Sequence, residues 1–201
     1  MKRILLIACL VVCMVAHTQV NLNNDSTLKP NSENLLTKQA DIQGFYSTLE
    51  VGYLFGPGQI DPASISMSLS YQLENNLSLA AATGIEYFQY PVMPVYGQIS
   101  YIFEGMKIAP IAYFQAGYSF PLKQPDNYYY WDNPTEAKGG LIVNPGIGML
   151  LPLNENTLFN ISIGFRYQEL NFHRHLYWLD DDTYITDIYK RLNLRVGLCF
   201  N

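Results

Sequence analysis

The chain alternates between large apolar and small polar residues through almost all of its length after residue 44. The clearest case is the segment 64–73, where Ile65, Met67, Leu69 and Tyr71 are separated by serines. Successive side chains of a β-strand point to opposite faces, so such a segment has one apolar face and one polar face. About eight segments of this kind follow one another, and none of them has a helical pattern. The alternation therefore predicts an all-β chain whose strands each face an apolar environment on one side.

The eight predicted strands are long enough to cross a membrane. They cover residues 45–55, 64–73, 77–88, 95–103, 107–120, 140–151, 158–170 and 188–200. A tilted strand needs about 9–11 residues to cross the hydrocarbon layer. Because backbone groups in lipid must be satisfied internally, strands can span a membrane only as a closed barrel. We therefore predict an eight-stranded antiparallel up-and-down transmembrane β-barrel over residues 44–201.

The connections between the predicted strands differ in length. Strands 2–3, 4–5 and 6–7 are joined by tight turns of polar residues, and the other connections are longer, at 56–63, 89–94, 121–139 and 171–184. Short turns at one rim and longer loops at the other are typical of outer-membrane barrels. An even number of strands puts both termini at the short-turn rim, which predicts that both termini are periplasmic. Pro110 and Pro145 cannot donate a ladder hydrogen bond, so they either weaken strands 5 and 6 or mark bulges there.

Composition supports contact with lipid. The chain has 201 residues, of which 14% are charged and 14% are aromatic, with 16 tyrosines. An ordinary soluble domain is about 25% charged. Few charges together with many tyrosines suit a surface that meets the bilayer and its interface.

The N-terminus has the pattern of a secretory signal. Lys2 and Arg3 precede thirteen apolar residues, 4–16, a run shorter than the roughly 20 residues of a spanning helix. We expect a cleaved signal peptide at residues 1–18, ending after Ala16 or Thr18, and a flexible polar periplasmic leader at residues 19–43. An alternative is a lipoprotein acylation box at residues 6–9, although only five apolar residues precede Cys9.

Removal of the signal changes the charge and the cysteine content of the chain. The mature chain has 10 basic and 17 acidic residues, a net charge of −7, which argues against a nucleic-acid partner. Cys9 and Cys13 leave with the signal, so Cys199 is the only remaining cysteine. An exported chain with one cysteine has no internal disulfide framework.

Five charged residues break the rule that the inward faces carry small or neutral side chains. They are Glu50, Glu86, Arg166, Arg191 and Arg195. Glu50 and Arg195 lie at similar depth on strands that must be neighbours if the barrel closes, and Glu86 and Arg166 face each other across the lumen. Since charges away from water need partners, we interpret the five as a salt-bridged lumen core. A gate or a proton path is the functional alternative.

Two histidines lie at the outer end of strand 7. His173 and His175 are two residues apart, so on an extended chain they share a face and could ligate a metal. The only acidic residues near them in the sequence that could add a ligand are the aspartates at 180–182. Lipid A deacylases use His and Ser near a barrel rim, but no serine adjoins these histidines. A solvated loop is the preferred interpretation, and we assign no catalytic residue, cofactor or metal site.

Aromatic residues are concentrated in the two longest predicted loops. Residues 126–132 contain three tyrosines and a tryptophan, and Tyr177 and Trp178 lie in the last loop. Such residues form the outer aromatic girdle of membrane barrels. The alternative is a stacking surface for a sugar or a partner protein.

With its predicted strands, the chain resembles the small outer-membrane β-barrel proteins of the Bacteroidetes type over about residues 44–201. The features that carry the resemblance are residues 44–46 with 50–53, 116–118, 139–141 with 144–148, and the ending 194–200. The terminal aromatic Phe200 is similar to the signal read by the barrel insertion machinery, although Asn201 follows it. The resemblance implies a barrel in the outer membrane, with no particular activity.

Three hypotheses for the function follow. The first is a structural or interaction protein with a side-chain-filled lumen, which presents loops 3 and 4 (residues 121–139 and 171–184) outside the cell. The second is a narrow channel for small solutes, and the third is a lipid-modifying enzyme that uses His173 or His175. The expected partners are outer-membrane lipid, the insertion machinery during assembly, and an extracellular protein or glycan at the two loops.

Overall fold

The chain forms a closed β-barrel. The computed structural model describes residues 44–57, 62–73, 76–88, 90–103, 108–124, 135–154, 156–176 and 181–201. The strands are β1 (Gly44–Phe55), β2 (Ala63–Gln72), β3 (Leu77–Tyr87), β4 (Pro91–Ile102), β5 (Ala109–Pro121), β6 (Thr135–Pro152), β7 (Thr157–Leu176) and β8 (Asp181–Phe200). Each strand pairs antiparallel with the next, and β8 pairs with β1. The predicted eight-stranded antiparallel up-and-down barrel is confirmed. The predicted signal peptide and leader lie outside the described residues.

The alternation of the sequence sorts side chains between the two faces of the wall. On β1, Phe45, Leu49 and Val51 point outward and are more than half exposed, whereas Tyr46 and Thr48 are buried in the lumen. The same parity holds around the barrel, so the outer wall is a continuous apolar surface. A soluble protein rarely exposes so large an apolar area, and a lipid environment removes that cost. Among the described residues, no helix is long and apolar enough to cross a bilayer.

The two ends of the barrel differ, but not in the way that the sequence predicted. We call the end that holds the β2–β3, β4–β5 and β6–β7 connections the turn end, and the opposite end the loop end. The predicted loop 171–184 is wrong, because β7 continues to Leu176 and β8 begins at Asp181. The predicted loop 121–139 is also too long, since β6 begins at Thr135, and residues 91–94 belong to β4 rather than to a loop.

The asymmetry between the ends comes mainly from strand length. β6, β7 and β8 extend beyond the predicted strands by residues 135–139, 171–176 and 181–187. We call the three-stranded loop-end part of the sheet, residues 135–140, 169–176 and 181–190, the arm. The ladder is continuous through it, from His173 opposite Tyr184 down to Glu169 opposite Ile188. Backbone pairing satisfies the arm's hydrogen bonds, which is why polar residues that appear loop-like in sequence are held in strands.

The two prolines of β5 and β6 do not produce bulges. Pro110 lies in register with Met149, and Pro145 lies in register with Phe114. The register shift of β6 lies instead between Ala137 and Gly139, at the base of the arm. Gly139 has a φ of +77°, a left-handed conformation that glycine adopts without strain.

Candidate functional site

The lumen has one wall of small side chains and one wall of long ones. The inward face of β2 is built from serines at positions 64, 66, 68 and 70, and β3 adds Ser78 and Ala82. Long inward side chains come from the other strands, and the fully buried ones include Gln115, Asn144, Arg166, Gln168 and Arg195. The interior of an eight-stranded barrel is just wide enough for side chains, so the small wall leaves the room that the long wall fills.

One ion pair crosses the lumen near the loop end. Arg166 Nη2 donates to both carboxylate oxygens of Glu86, at 3.0 Å and 2.8 Å. Arg166 Nε and Nη2 also donate to Gln168 Oε1, at 3.1 Å and 3.0 Å. Gln168 in turn donates to Ser119 Oγ at 3.3 Å. Both charged side chains are at most 2% exposed, so this pair is dry and held by a chain of further hydrogen bonds.

A second ion pair lies closer to the turn end and is looser. Arg195 Nη1 is 3.5 Å from Glu50 Oε2. The Glu50 carboxylate also accepts from Asn160 Nδ2 at 2.6 Å and from Ser66 Oγ at 3.5 Å. The Glu50 side chain is 14% exposed, compared with 2% for Arg195. The carboxylate is therefore the most accessible of the four paired charges.

Tyr96 lies between the two ion pairs, and Gln115 extends the network on the Arg195 side. Arg195 Nη1 donates to Tyr96 Oη at 3.3 Å and to Gln115 Oε1 at 3.2 Å. The guanidinium carbons of Arg166 and Arg195 lie 6.0 Å and 5.7 Å from the Tyr96 ring centre, within the range of a cation–π contact. One buried tyrosine thus lies between two arginines, and the middle of the lumen is a single polar network.

Two glycines of the wall make room for the turn-end ion pair. A Cβ added at Gly52 would lie 2.8 Å from Arg195 Cγ and 2.7 Å from Ser64 Oγ. A Cβ added at Gly197 would lie 2.8 Å from Glu50 Cγ and 2.4 Å from the Leu49 carbonyl oxygen. Real Cβ atoms do not approach so closely, so larger residues here would displace the pair.

Arg191, the fifth charged residue, lies closer to the loop end of the barrel than Arg195. Its Nη1 donates to the Leu54 carbonyl at 3.5 Å, and its Nη2 donates to the Pro57 carbonyl at 3.4 Å. Its guanidinium carbon is 5.5 Å from the Tyr189 ring centre. The structure therefore brings Glu50 to Arg195 and Glu86 to Arg166, and it places Arg191 against β1 near the loop end.

An apolar cluster covers the loop-end mouth. It consists of Phe88, Tyr90, Val92, Ala137, Leu170 and Phe172, with Ile185 and Tyr189 packed against it, and we call it the lid. The Phe88 and Tyr189 rings are 5.2 Å apart, and the Tyr90 and Phe172 rings are 5.8 Å apart. Because β3–β4 and β7–β8 lie on opposite sides of the barrel, these contacts close the mouth between them.

Tyr90 shows how dry the lid is. It is 2% exposed, and its hydroxyl has no hydrogen-bond partner among the described residues. Burial raises the pKa of Tyr90, and the nearby Tyr189 and Asp187 raise it further. The phenol therefore stays protonated and neutral at any physiological pH.

The turn-end half of the lumen is divided between an apolar cluster and a polar cavity. The apolar cluster consists of Tyr46, Ile102, Ala109, Ile111, Tyr113, Leu150, Leu158 and Cys199. Beside it lies a cavity of about 30 Å³, lined on its polar side by Thr48, Glu50, Ser68, Ser70, Gln98 and Asn160. A volume of this size holds about two water molecules, since one water needs roughly 10–15 Å³. The space is far too small for an organic solute.

His173 of the arm does not point into the lumen. His173 is on the outer face of β7, with its ring 4.9 Å from the Tyr184 ring and its Nδ1 4.0 Å from Glu136 Oε2. The side chain of His175 and residues 177–180 lie outside the part of the chain that is described. Among the described residues, no group of three or more His, Cys, Asp or Glu side chains could hold a metal ion. The aromatic segment 126–132 also lies outside the described residues.

Sequence reasoning missed the neutral members of the network. Tyr96, Gln98, Gln115, Asn160 and Gln168 all carry hydrogen bonds between or beside the ion pairs. The alternation of apolar and polar residues shows that these side chains point inward. It would have distinguished the inward Tyr96 from the tyrosines on the outer wall. Their pairing was not readable, because it depends on register between strands far apart in sequence.

The fold is that of the small outer-membrane β-barrels. The outer membrane protein OprG from Pseudomonas aeruginosa matches with a TM-score of 0.61 at 11% identity, over 79% of this chain and 95% of that chain. The N-terminal barrel domain of Pseudomonas aeruginosa OprF matches with a TM-score of 0.56 at 14% identity, over 79% and 97% of the two chains. Neisserial surface protein A matches with a TM-score of 0.54 at 10% identity, over 79% and 97%. No protein-family model and no curated protein matches the chain.

Proposed function

We propose that the chain is an integral outer-membrane protein whose barrel is closed to solutes and whose arm is presented outside the cell in a structural or interaction role. The observation that carries the proposal is the blocked lumen. A dry ion pair crosses it near the loop end, and the lid covers the mouth above that pair. A barrel filled in this way offers no path for a solute, so its outward surfaces are what remains for function.

The apolar outer wall supports the membrane location. β1 (Gly44–Phe55) has 12 residues, and its outward side chains run from Phe45 at the turn end to Phe55 at the loop end. Such a tilted strand matches the roughly 25 Å apolar band of an outer-membrane barrel. The location also makes outer-membrane lipid and the barrel insertion machinery the partners of this chain. The Bacteroidetes-type family remains a prediction based on the resemblance alone.

The arm has the properties of a presented surface. Its inner face packs into the lid, so it is held in place, while its outer face carries Tyr184, which is 70% exposed. Lys138 Nζ lies 5.4 Å from the Tyr184 ring centre, and the Glu136 side chain is 63% exposed. Exposed aromatic and charged groups on a paired sheet suit an extracellular protein or glycan, and the arm includes the described residues of the segments 121–139 and 171–184 that the sequence predicted as loops.

The orientation of the barrel can be tested with paired cysteine variants. Glu136→Cys places a thiol on the arm, and Asn201→Cys places one at the turn end, while the native Cys199 is buried. With an impermeant maleimide on intact cells, we expect labelling of the Glu136→Cys protein and none of the Asn201→Cys protein until the cells are opened. The reverse pattern would put the arm in the periplasm and end the proposal that it faces outward.

The closed lumen can be tested in planar bilayers. We expect the purified protein to give no stable unitary conductance, because the lid and the Glu86–Arg166 pair obstruct the lumen. The cavity near Glu50 is the observation that favours the alternative, a narrow channel. Stable, size-selective conductance of the unmodified protein would establish that alternative and contradict the closed barrel.

The hypothesis of a lipid-modifying enzyme can be tested separately. A lipid-modifying enzyme that uses His173 or His175 would change the lipid A of cells that express it. The observation that bears on this hypothesis is the 4.0 Å distance between His173 Nδ1 and Glu136 Oε2. A change in lipid A that disappears in His173→Ala, but not in Tyr184→Ala, would support catalysis and overturn the proposal that the role is structural.

A further inference from the structure

We infer that the cavity beside Glu50 is a binding site for about two water molecules and that water reaches it only from the turn end, past Tyr46. The inference concerns the interior of the barrel. It is therefore independent of whether the arm binds a partner.

The lining of the cavity suits water. Hydroxyl groups of Thr48, Ser68, Ser70 and Ser100 border it, and each can both donate and accept a hydrogen bond. A buried water needs two to four polar partners, and these groups supply them.

Asn160 supplies the second observation. Its Nδ2 donates to Glu50 Oε1 at 2.6 Å, so its amide orientation is set by the carboxylate. Its Oδ1 is buried without a hydrogen-bond partner among the described residues, and the residue is 5% exposed. A buried carbonyl oxygen without a donor is costly, and a water in the adjoining cavity removes that cost.

The charge around the cavity favours water over a cation. The Glu50 carboxylate already faces the Arg195 guanidinium and accepts from Asn160 and Ser66. A cation in the cavity would meet the positive charge of Arg195 at short range, where repulsion in a protein interior is strong. A neutral donor and acceptor fits better.

The entry route follows from what lies on either side of the cavity. Toward the loop end stand the Glu86–Arg166 pair, with both side chains at most 2% exposed, and then the lid. Toward the turn end, Tyr46 borders the cavity, and its hydroxyl lies 2.7 Å from Ser78 Oγ on β3. Tyr46 belongs to the apolar cluster of the turn-end half, together with Ile102, Ile111 and Leu150. This single packed layer is a smaller barrier to water than the two layers toward the loop end. Water therefore enters and leaves the cavity from the turn end alone.

Water contact is measured by NMR on the full chain in lipid nanodiscs. We expect magnetisation transfer from water to the Asn160 side-chain amide, and we expect its loss in Ser68→Val, which fills the cavity with methyl groups. Thr83→Val, which changes an outward-facing side chain, should leave the transfer intact. Absence of water contact at Asn160 in the unmodified protein overturns the inference, and that result needs no variant to fold.

The route by which water enters the cavity is tested with the native thiol of Cys199. Cys199 lines the cavity and is 3% exposed, so its reaction with methyl methanethiosulfonate reports access from either side. Modification is followed by mass spectrometry of the Cys199 peptide. We expect Tyr46→Ala to accelerate it about tenfold or more, equivalent to at least roughly 1.4 kcal/mol of easier access, and Phe88→Ala to leave it unchanged. Equal acceleration by Phe88→Ala would show a route from the loop end and overturn the one-sided entry.

Discussion

The two ion pairs of the lumen join the same kinds of residue in different surroundings. The Glu86–Arg166 pair has a shortest distance of 2.8 Å and side chains at most 2% exposed, and it lies under an apolar lid. The Glu50–Arg195 pair has a distance of 3.5 Å, its carboxylate is 14% exposed, and it borders a polar cavity. Burial makes an ion pair costly to break without making it strongly stabilising, so the dry pair should act as a fixed partition. The wetter pair can tolerate change, because other polar groups stand close to both charges.

The largest effect is expected from Glu86→Gln. This change leaves the Arg166 guanidinium buried with only neutral partners, and breaking a buried pair in this way costs about 3–5 kcal/mol. The free energy of unfolding in lipid vesicles, followed by urea titration and by heat-modifiable gel mobility, measures the loss.

The matched control for Glu86→Gln is Glu136→Gln, the same change on the exposed face of the arm. A surface change of this kind should stay within about 0.5 kcal/mol. If the two variants lost the same stability, the dry pair would not be the partition that we describe.

The next effect tests the lid above the dry pair. Phe88→Ala removes a ring that is 1% exposed and contacts Tyr189, and a Phe→Ala change in a packed core costs about 3 kcal/mol or more. Unfolding in lipid vesicles measures the cost. We also expect the NMR signals of Leu170 and Phe172 to shift, while those of residues around Glu50 stay in place. Equal shifts around Glu50 would show that the two halves of the lumen are not separate.

A smaller effect is expected from Glu50→Gln. The amide can still accept from Asn160, and Arg195 keeps its contacts with Tyr96 and Gln115. The loss should be about 1.5–3 kcal/mol, in the range of a hydrogen bond to a charged group. The same vesicle titration gives the value, and a loss as large as that of Glu86→Gln would remove the difference between the pairs.

The sequence predicted the barrel well because each β-strand repeats its signal many times. Phe45, Leu49 and Val51 all occupy the same outward face of β1, so one exception does not change the assignment of this segment as a strand. The five lumen charges were predicted in the same way, as breaks in the pattern. The arm was missed because its outer face is polar above the apolar band, and polar residues such as Asn171 and Thr186 resemble a loop when read alone. Only the inward positions, including Phe172 and Ile185, carried its strand pattern.

The lid and the cavity could not be predicted, for a different reason. They depend on which side chains from opposite walls meet, and that is set by register and tilt rather than by periodicity. Tyr90 and Phe172 are 82 positions apart in the chain, yet their rings are 5.8 Å apart. No local pattern signals such a contact.

The smallest effect is expected from Tyr46→Phe at the turn end. The change removes the hydroxyl that lies 2.7 Å from Ser78 Oγ but keeps the ring beside Cys199. One buried hydrogen bond contributes about 0.5–1.5 kcal/mol, so the unfolding free energy should fall by that amount. The rate of Cys199 modification separates the two contributions of Tyr46 to closure. If the ring closes the turn end, the rate stays at that of the unmodified protein. If the hydrogen bond to Ser78 closes it, the rate rises toward that of Tyr46→Ala, and the turn-end barrier is then one hydrogen bond rather than a packed side chain.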